Sequence, residues 1–308
     1  MTVLDDFESR PGSATSLLRT LVGATLRDQG GWMPVSALVT LMSELGVPAA
    51  RTRTALGRVK AKGLLVAEAR DGVAGYAVAP AAADMLGRGD RRIFGPRRTG
   101  NDAGRWCLVS WSVPEDQRDL RHRLRRRLAA IGCGSVSSAL WICPDHLADD
   151  VAAILDELEL TGRATVFLAS EIRYPGGPAA AIARWWDLPA LRELHERFLA
   201  GHAEPIARLL DGAQRAGGPD PSEAFRTWIR ALDAYRPIPY LDPGLPPELL
   251  PGDWPGTRSA AVFARLAAVA RPPAGLHAAR IATQAPHSRP QTAPHPQTAP
   301  HPPARPRY

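Results

Sequence analysis

Residues 48 to 78 read PAARTRTALGRVKAKGLLVAEARDGVAGYAV, and the organisation of the chain follows from how this stretch folds. Pro48 presets a first helical turn. At about 100° per residue, Thr52, Leu56, Val59 and Gly63 come to one side of the helix, where Leu56 and Val59 can pack inward. The opposite side holds Ala50, Arg51, Thr54, Gly57, Arg58 and Ala61, flanked by Arg53, Lys60 and Lys62. No acid falls between Val47 and Gly63. Small residues among long cations suit close approach to a groove lined with phosphates and base edges, although a basic helix face taken alone is commonly only solvated. Gly57 sharpens the question, because glycine in mid-helix costs about 1 kcal/mol relative to alanine. Either that surface is kept flat for a partner or something packs tightly against it. Beyond the helix, Leu64-Leu65-Val66-Ala67, a turn at Arg70-Asp71-Gly72 and Tyr76-Ala77-Val78 read as a β-hairpin.

Upstream, apolar residues at Leu17, Leu18, Leu21, Val22 and Leu26 stripe one face of a helix that begins near Ser13 and is closed by Gly30-Gly31. A second amphipathic run, Val35, Leu38, Val39, Leu41, Met42 and Leu45, stops at Gly46. Three short helices followed by a hairpin make a winged helix-turn-helix, expected over residues 13–90.

Downstream, a helix from about Pro80 to Leu86 leads into a polar stretch, Arg91 to Gly104, with four arginines, which reads as a linker. Trp106 to Val113 (WCLVSWSV) is a β-rich apolar run. Asp116 to Ile131 is a helix with Leu120, Leu124, Leu128 and Ile131 inside and Arg121, Arg123, Arg125, Arg126 and Arg127 largely outside. Val136 to Cys143 reads as a strand, Asp145 to Leu160 as a helix and Arg163 to Ile172 as a strand. That order, with one further strand hidden in it, predicts a ferredoxin-like domain over 104–175. Helical patterns return from Ala179 through Trp185, Trp186, Leu191, Leu194, Phe198, Ile206, Leu209 and Leu210, again from Pro221 to Ala234, and last near Arg258 to Val269. They predict a helical C-terminal domain over 178–271. From Pro272 the composition turns to Pro, Ala, His and Thr, with QTAPHP twice at Gln291 and Gln297, and 272–308 reads as a disordered tail. The fold class is α+β.

At 308 residues the chain is long enough for two or three units, each burying its own core. The formal charge of +7 favours a polyanionic partner. Cys107, Cys133 and Cys143 are odd in number and lack C-x-x-C spacing, as expected of buried free thiols in a reducing compartment. No run approaches the roughly 20 apolar residues that span a bilayer, and MTVLDDFESRPGS carries acids where a signal peptide carries basic residues. A cytoplasmic protein without membrane contact is expected. P-loop, dinucleotide fingerprint and nucleophile elbow are all absent.

With these residues read, the chain resembles the PaaX family of bacterial transcriptional repressors over roughly Ser13 to Val269. Three blocks carry the resemblance: SATSLLRTLVGATLRDQGG leading to RTRTALGRVKAKGLL, RWCLVSWSVPE with AAIGCGSVSSALWICP, and YLDPGLPPELLPGDWPG. It departs from the usual pattern at Gly63-Leu64-Leu65, where the family shows Gly-Trp-Leu, and at Leu232-Asp233 before Tyr235-Arg236, where a His commonly precedes the Arg. The resemblance implies a dimeric repressor on double-stranded DNA, released by an acyl-CoA or aryl-CoA thioester. On a palindromic operator, Arg51, Thr54 and Arg58 are expected at base edges, and Arg53, Lys60, Lys62 and the wing residue Arg70 on phosphates. No catalytic residue, metal ligand or resident cofactor is expected. The effector pocket is unassigned: Trp185, Trp186, Trp228 and Trp254 read as core, and Arg121 and Arg125 as CoA-phosphate ligands or as a solvated face. Two other readings are a second and third unit that bind only protein partners, and a metal-dependent nuclease. The middle domain looks similar to the ferredoxin-like nucleases of CRISPR adaptation, which carry an Asp at the end of the first strand. Here that stretch is Val109-Ser110-Trp111-Ser112-Val113, leaving Glu115 and Asp116 as the nearby carboxylates.

Overall fold

In a computed structural model, residues 10–95, 105–174, 176–213 and 218–284 are described. The chain opens with α1 (Ala14–Leu21), whose first turn is capped by the Ser13 hydroxyl accepting from the Ser16 amide. A π turn over Val22–Leu26 and a 3-10 turn over Arg27–Gln29 carry it to Gly30, at φ 74°. Strand β1 (Trp32–Pro34) follows, then α2 (Val35–Glu44) and α3 (Ala49–Ala61). The hairpin is β2 (Leu65–Arg70) with β3 (Val73–Val78). Its turn has positive φ at both Asp71 (49°) and Gly72 (77°), the geometry that matches the twist of a two-residue hairpin. β1 adds to the outer side of β3, giving the antiparallel order β1-β3-β2.

The expected linker begins late. Helix α4 (Ala83–Phe94) runs past Arg91 and Arg92, because Ile93 and Phe94 pack on the core and Phe94 stacks on Trp228 and Phe263 at 6.0 and 6.1 Å. Residues 96–104 of the expected linker lie outside the described residues.

The middle unit runs β4 (Trp106–Trp111), α5 (Arg118–Ala130), β5 (Gly134–Ser137), β6 (Leu140–Pro144), α6 (Ala148–Glu157) and β7 (Ala164–Ala169). The expected single strand over Val136 to Cys143 is a hairpin, β5 and β6, turning at Ser138-Ala139, and this is the hidden fourth strand. The sheet order β5-β6-β4-β7, antiparallel throughout, with both helices in the crossovers, is the ferredoxin-like arrangement. One face packs Cys107, Val109 and Trp111 against Leu124 and Leu128 of α5 and Val151 and Leu155 of α6. The other face packs Trp106 and Ile142 against Trp186. Gly134 makes that approach possible: a Cβ there would fall 2.6 Å from the Trp186 ring, whose Nε1 donates to the Gly132 carbonyl at 2.8 Å. All three cysteines are free and buried, and the hydrogen bond to Cys143 together with burial raises the Cys107 thiol far out of reactive range.

Helices α7 (Pro178–Trp185), α8 (Leu188–Ala213), α9 (Pro221–Tyr235), α10 (Ile238–Leu241) and α11 (Gly256–Gln284) complete the chain. They do not enclose a separate core. Phe198, Phe225, Trp228, Ile229, Leu266 and Ala274 join one continuous apolar cluster with Leu18, Leu21, Leu38, Met42 and Leu56. The first and last thirds of the chain therefore fold around the same interior, with the ferredoxin-like unit between them in sequence. The expected tail is also corrected in part. α11 passes through Pro272 and Pro273 and on to Gln284, held by the burial of Ala270, Ala274, His277 and Ala278. Proline removes a backbone donor from a helix, and here that loss is outweighed by packing. The rest of the expected tail, 285–308, lies outside the described residues. Among the described residues no helix is long and apolar enough to cross a membrane.

Candidate nucleic-acid interface

Helix α3 buries Thr52, Ala55, Leu56 and Val59 against α1 and α2 and exposes Ala50, Arg51, Arg53, Thr54, Gly57, Arg58, Lys60, Ala61 and Lys62. All six residues expected to contact a partner from this helix are exposed, Arg51, Thr54 and Arg58 on the side opposite the buried stripe and Arg53, Lys60 and Lys62 flanking it. The question raised by Gly57 is answered by its surroundings: a Cβ built there meets nothing within 4 Å. Internal packing does not require the glycine, so what it keeps flat is an outward surface. The Thr54 hydroxyl donates to the Ala50 carbonyl at 3.1 Å, presenting its methyl and oxygen on the same face.

Arg70, the expected wing contact, is partly engaged within the wing. Its Nε donates to Glu68 at 2.6 Å and its guanidinium lies 5.3 Å from the Trp32 ring centre. Trp32 in turn pins the hairpin, donating from Nε1 to the Glu68 carbonyl at 3.0 Å, and it lies so close over β3 that only glycine fits at Gly75. Leu64, at the position where the family carries tryptophan, is buried in the common core.

The C-terminal helices hold the elements around α3 by polar ties at three places. The Arg230 guanidinium of α9 donates to the Leu45 carbonyl at 2.8 Å, closing the turn between α2 and α3. Asp233, 1% exposed, accepts from the Gly12 amide (2.6 Å), the Ser16 hydroxyl (2.6 Å) and the Thr20 hydroxyl (2.7 Å), fastening α1 to α9. His277 of α11 takes a bond at Nδ1 from Arg280 (2.9 Å), which leaves its Nε2–H to donate to Glu44 of α2 at 2.8 Å.

Between these elements and α5 opens a cavity of about 1220 Å³. Arg10, Arg51, Arg126, Arg197 and Arg230 line it together with Leu17, Leu194, Phe198 and Leu241. Strong positive charge beside an apolar floor is the lining an amphipathic anion requires. Burial pushes the cavity residue His202 below the usual imidazole value, and the neighbouring Arg230 adds to the shift while Asp233 opposes it. Arg51 belongs to both surfaces, the exposed face of α3 and the cavity wall. Arg121 and Arg125 are placed elsewhere: Arg121 pairs with Glu115 and Arg125 donates to the Ser138 carbonyl at 2.6 Å. Sequence reasoning missed Arg10, Arg126, Arg197 and Arg230, because nothing local marks residues drawn together from four distant segments.

Those observations set the chain beside known proteins. The PaaX-like protein model matches residues 13–82, the PaaX protein central Cas2-like domain model 100–181 and the PaaX-like protein C-terminal domain model 186–280, in that order. The chain belongs to the PaaX family. The transcriptional repressor PaaX of Escherichia coli K12 is 28% identical over 264 residues, covering 83% of this chain and 81% of that protein. The fold is similar to that of the uncharacterized protein Rv0674 from Mycobacterium tuberculosis, at 24% identity and a TM-score of 0.52, over 88% of this chain and all but 1% of that one, whose coverage is 99%. As in other PaaX chains, the central unit is the Cas2-like domain, yet Glu115 is tied to Arg121, Asp116 stands exposed, and among the described residues no three His, Cys, Asp or Glu side chains gather as a metal site.

One constellation in this PaaX-family chain has the connectivity of a hydrolase triad. His195 Nδ1 lies 2.6 Å from Ser259 Oγ and Nε2 lies 2.8 Å from Asp242 Oδ2. A triad needs its nucleophile open to substrate. Here Ser259 and His195 are fully buried, and Ser259 Oγ also donates to the Gly256 carbonyl at 3.1 Å. The trio fastens α8, the start of α11 and the Asp242 loop of the YLDPGLPPELLPGDWPG block to one another.

Proposed function

We propose that this PaaX-family chain is a DNA-binding transcriptional repressor, a regulator and not an enzyme, that grips double-stranded DNA through α3 and the β2–β3 wing of a winged helix-turn-helix. The observation that carries the reading is the acid-free, exposed face of α3 with an open surface at Gly57. Arg51, Thr54 and Arg58 meet base edges in the major groove, and Arg53, Lys60, Lys62 and Arg70 meet phosphates. Arg70 exchanges its exposed Glu68 partner for phosphate at little cost, since surface pairs are worth only about 0–1 kcal/mol. Two copies read a palindromic operator, one recognition helix per half-site.

Release is by an acyl-CoA or aryl-CoA thioester in the arginine-lined cavity. The fit supports this: the phosphates of such a ligand meet Arg10, Arg126 and Arg197, and its acyl group meets Leu17, Leu194 and Phe198. Because Arg51 serves both surfaces, an anion in the cavity competes with DNA for it. The test is a gel-shift titration on the DNA upstream of the gene, with excess competitor at physiological salt, repeated with a panel of acyl-CoA and aryl-CoA thioesters. A competitor-resistant shift released by one thioester is the expected result. A shift that none of them releases removes the effector; no specific shift on that DNA or on genome-wide selected fragments removes the DNA reading itself.

A further inference from the structure

Helix α5 carries six arginines and treats them in two ways. Three are tied to neighbours: Arg121 pairs with Glu115, Arg127 pairs with Glu157, and Arg125 donates to the Ser138 carbonyl at 2.6 Å. The other three, Arg118, Arg123 and Arg126, are exposed, and none of them has a hydrogen-bond or ion-pair partner among the described residues. Arg118, His122 and Arg126 stand four residues apart, a row about 12 Å long on the side of the helix opposite the buried Leu124 and Leu128, with Arg123 beside it. The nearby acids of α6 are engaged elsewhere, Asp150 with Arg92, Asp156 with Thr161 and Glu157 with Arg127. Asp119, exposed next to the row, is the one acid of α5. We infer that this row binds the sugar–phosphate backbone of the same double-stranded DNA that α3 enters, at phosphates outside the bases that α3 reads.

Charge and continuity together select the duplex as the partner. A basic helix face taken alone is commonly only solvated. This one adjoins the acid-free face of α3: Arg126 and Ala130, near the end of α5, line the same cavity as Pro48 and Arg51 at the start of α3. The row therefore begins beside the recognition helix and runs away from it toward Arg118. Each strand of a DNA duplex presents one phosphate per 3.4 Å or so of its axis, so a 12 Å row is matched by about three to four phosphates. Contacts of this kind fix the position of the protein on the duplex and carry no sequence information. Arg126, like Arg51, stands both on the cavity wall and on the exposed basic surface. An anion in the cavity thus withdraws a cation from each of the two helices that hold the DNA.

The inference rests on the DNA-binding reading given above and adds a second surface to it. Its test measures operator binding by the full-length protein across a potassium chloride series, with circular dichroism to confirm folding of each variant. Arg118 and Arg123 are the positions to change, since neither lines the cavity. With two copies on the operator, each substitution removes two phosphate contacts. Arg118→Gln and Arg123→Gln are therefore each expected to make the slope of log affinity against log salt shallower by about 2. Affinity at physiological salt is expected to fall about tenfold, with base preference on a randomised site unchanged. Arg118→Lys keeps the charge and is expected to keep the slope. Asp119→Asn removes an acid from beside the phosphates and is expected to tighten binding about twofold to fivefold, an effect of opposite sign that a damaged fold does not produce. An operator complex whose affinity and salt slope are indifferent to Arg118→Gln and Arg123→Gln overturns the α5 contact and leaves the α3 reading standing. A changed base preference in either variant overturns the assignment to phosphates. Wild-type protein that binds none of the genome-wide selected fragments overturns both surfaces.

Discussion

Replacing Gly57 with alanine separates the fold from the function of α3 in a single substitution. The residue sits mid-helix with helical neighbours on both sides, and an added Cβ meets nothing within 4 Å. Nothing opposes the gain in helix propensity, so Gly57→Ala is expected to stabilise the protein by about 1 kcal/mol. That corresponds to a rise in Tm of roughly 2 °C for a chain of this length. The same methyl projects from the face proposed to enter the groove. Contacts there are as dense as a protein interior, and forcing one extra carbon into such a contact costs about 1–3 kcal/mol. Operator affinity is therefore expected to fall by about fivefold to a hundredfold while the protein grows more stable. The two effects have opposite signs, so unfolding cannot account for lost binding. Differential scanning calorimetry and a gel shift on one preparation measure both. A variant that is more stable and binds its operator as tightly as before would refute the claim that Gly57 keeps this face flat for DNA.

Arg58→Ala is expected to cost about 1–3 kcal/mol in operator binding and to relax preference at one base position; selection on a randomised site reads this, and an unchanged preference removes Arg58 from the base-reading set. Asp233→Ala strips the acceptor from the Gly12 amide and from the buried Ser16 and Thr20 hydroxyls, and removes the carboxylate 3.6 Å from Arg236. It should destabilise by about 3–5 kcal/mol in urea unfolding, with lost DNA affinity following from the release of α1 from α9. His202 is held below its usual value of 6.5 by burial and by Arg230, so the unfolded chain takes up the proton more readily than the folded one. The contribution of His202 is therefore complete above about pH 6.5 and is lost as pH falls through the depressed folded value. His202→Gln is expected to flatten the decline in stability between pH 7 and 5, measured by urea midpoints, and an unaltered slope would show that His202 does not set it.

The α3 face was legible because helical periodicity alone separates Leu56 and Val59 from Arg51, Thr54 and Arg58, and the structure keeps that division. The hairpin was legible from Asp71-Gly72, whose positive φ angles the turn requires. Strand β1 was not, since Trp32-Met33-Pro34 is too short for alternation and takes its conformation from pairing with β3. The β5–β6 hairpin was hidden for a chemical reason: Ser138-Ala139 has none of the Gly, Asn or Pro that marks a turn. The second half of α11 was hidden by composition, because Pro272-Pro273 argues against helix locally and only burial of Ala274 and His277 argues for it. The cavity lay furthest from view. Arg10 and Arg230 are separated by most of the chain and meet only because α9 packs on α1 in the shared core.

That shared core gives the arginine cavity its mechanical reach. Were the first third of the chain an independent domain on a linker, a ligand among the C-terminal helices would have little to act upon. Here Arg230 contributes to the cavity wall and also donates to the Leu45 carbonyl in the turn that launches α3. Asp233, one turn further along α9, lines the same cavity and holds α1 by three hydrogen bonds. An anion that draws Arg230 toward itself weakens the bond at Leu45, and packed interiors answer such local changes by shifting whole elements, since they have little slack to absorb them. Arg51 adds a second route, by charge, on α3 itself. The two routes are separable: Arg51→Gln removes the direct competition for one cation and keeps the Arg230 tie, whereas Arg230→Gln breaks the tie and keeps Arg51. If effector release still occurs in Arg51→Gln and is lost in Arg230→Gln, the turn between α2 and α3 is the element that switches; the reverse pattern assigns the switch to competition at Arg51.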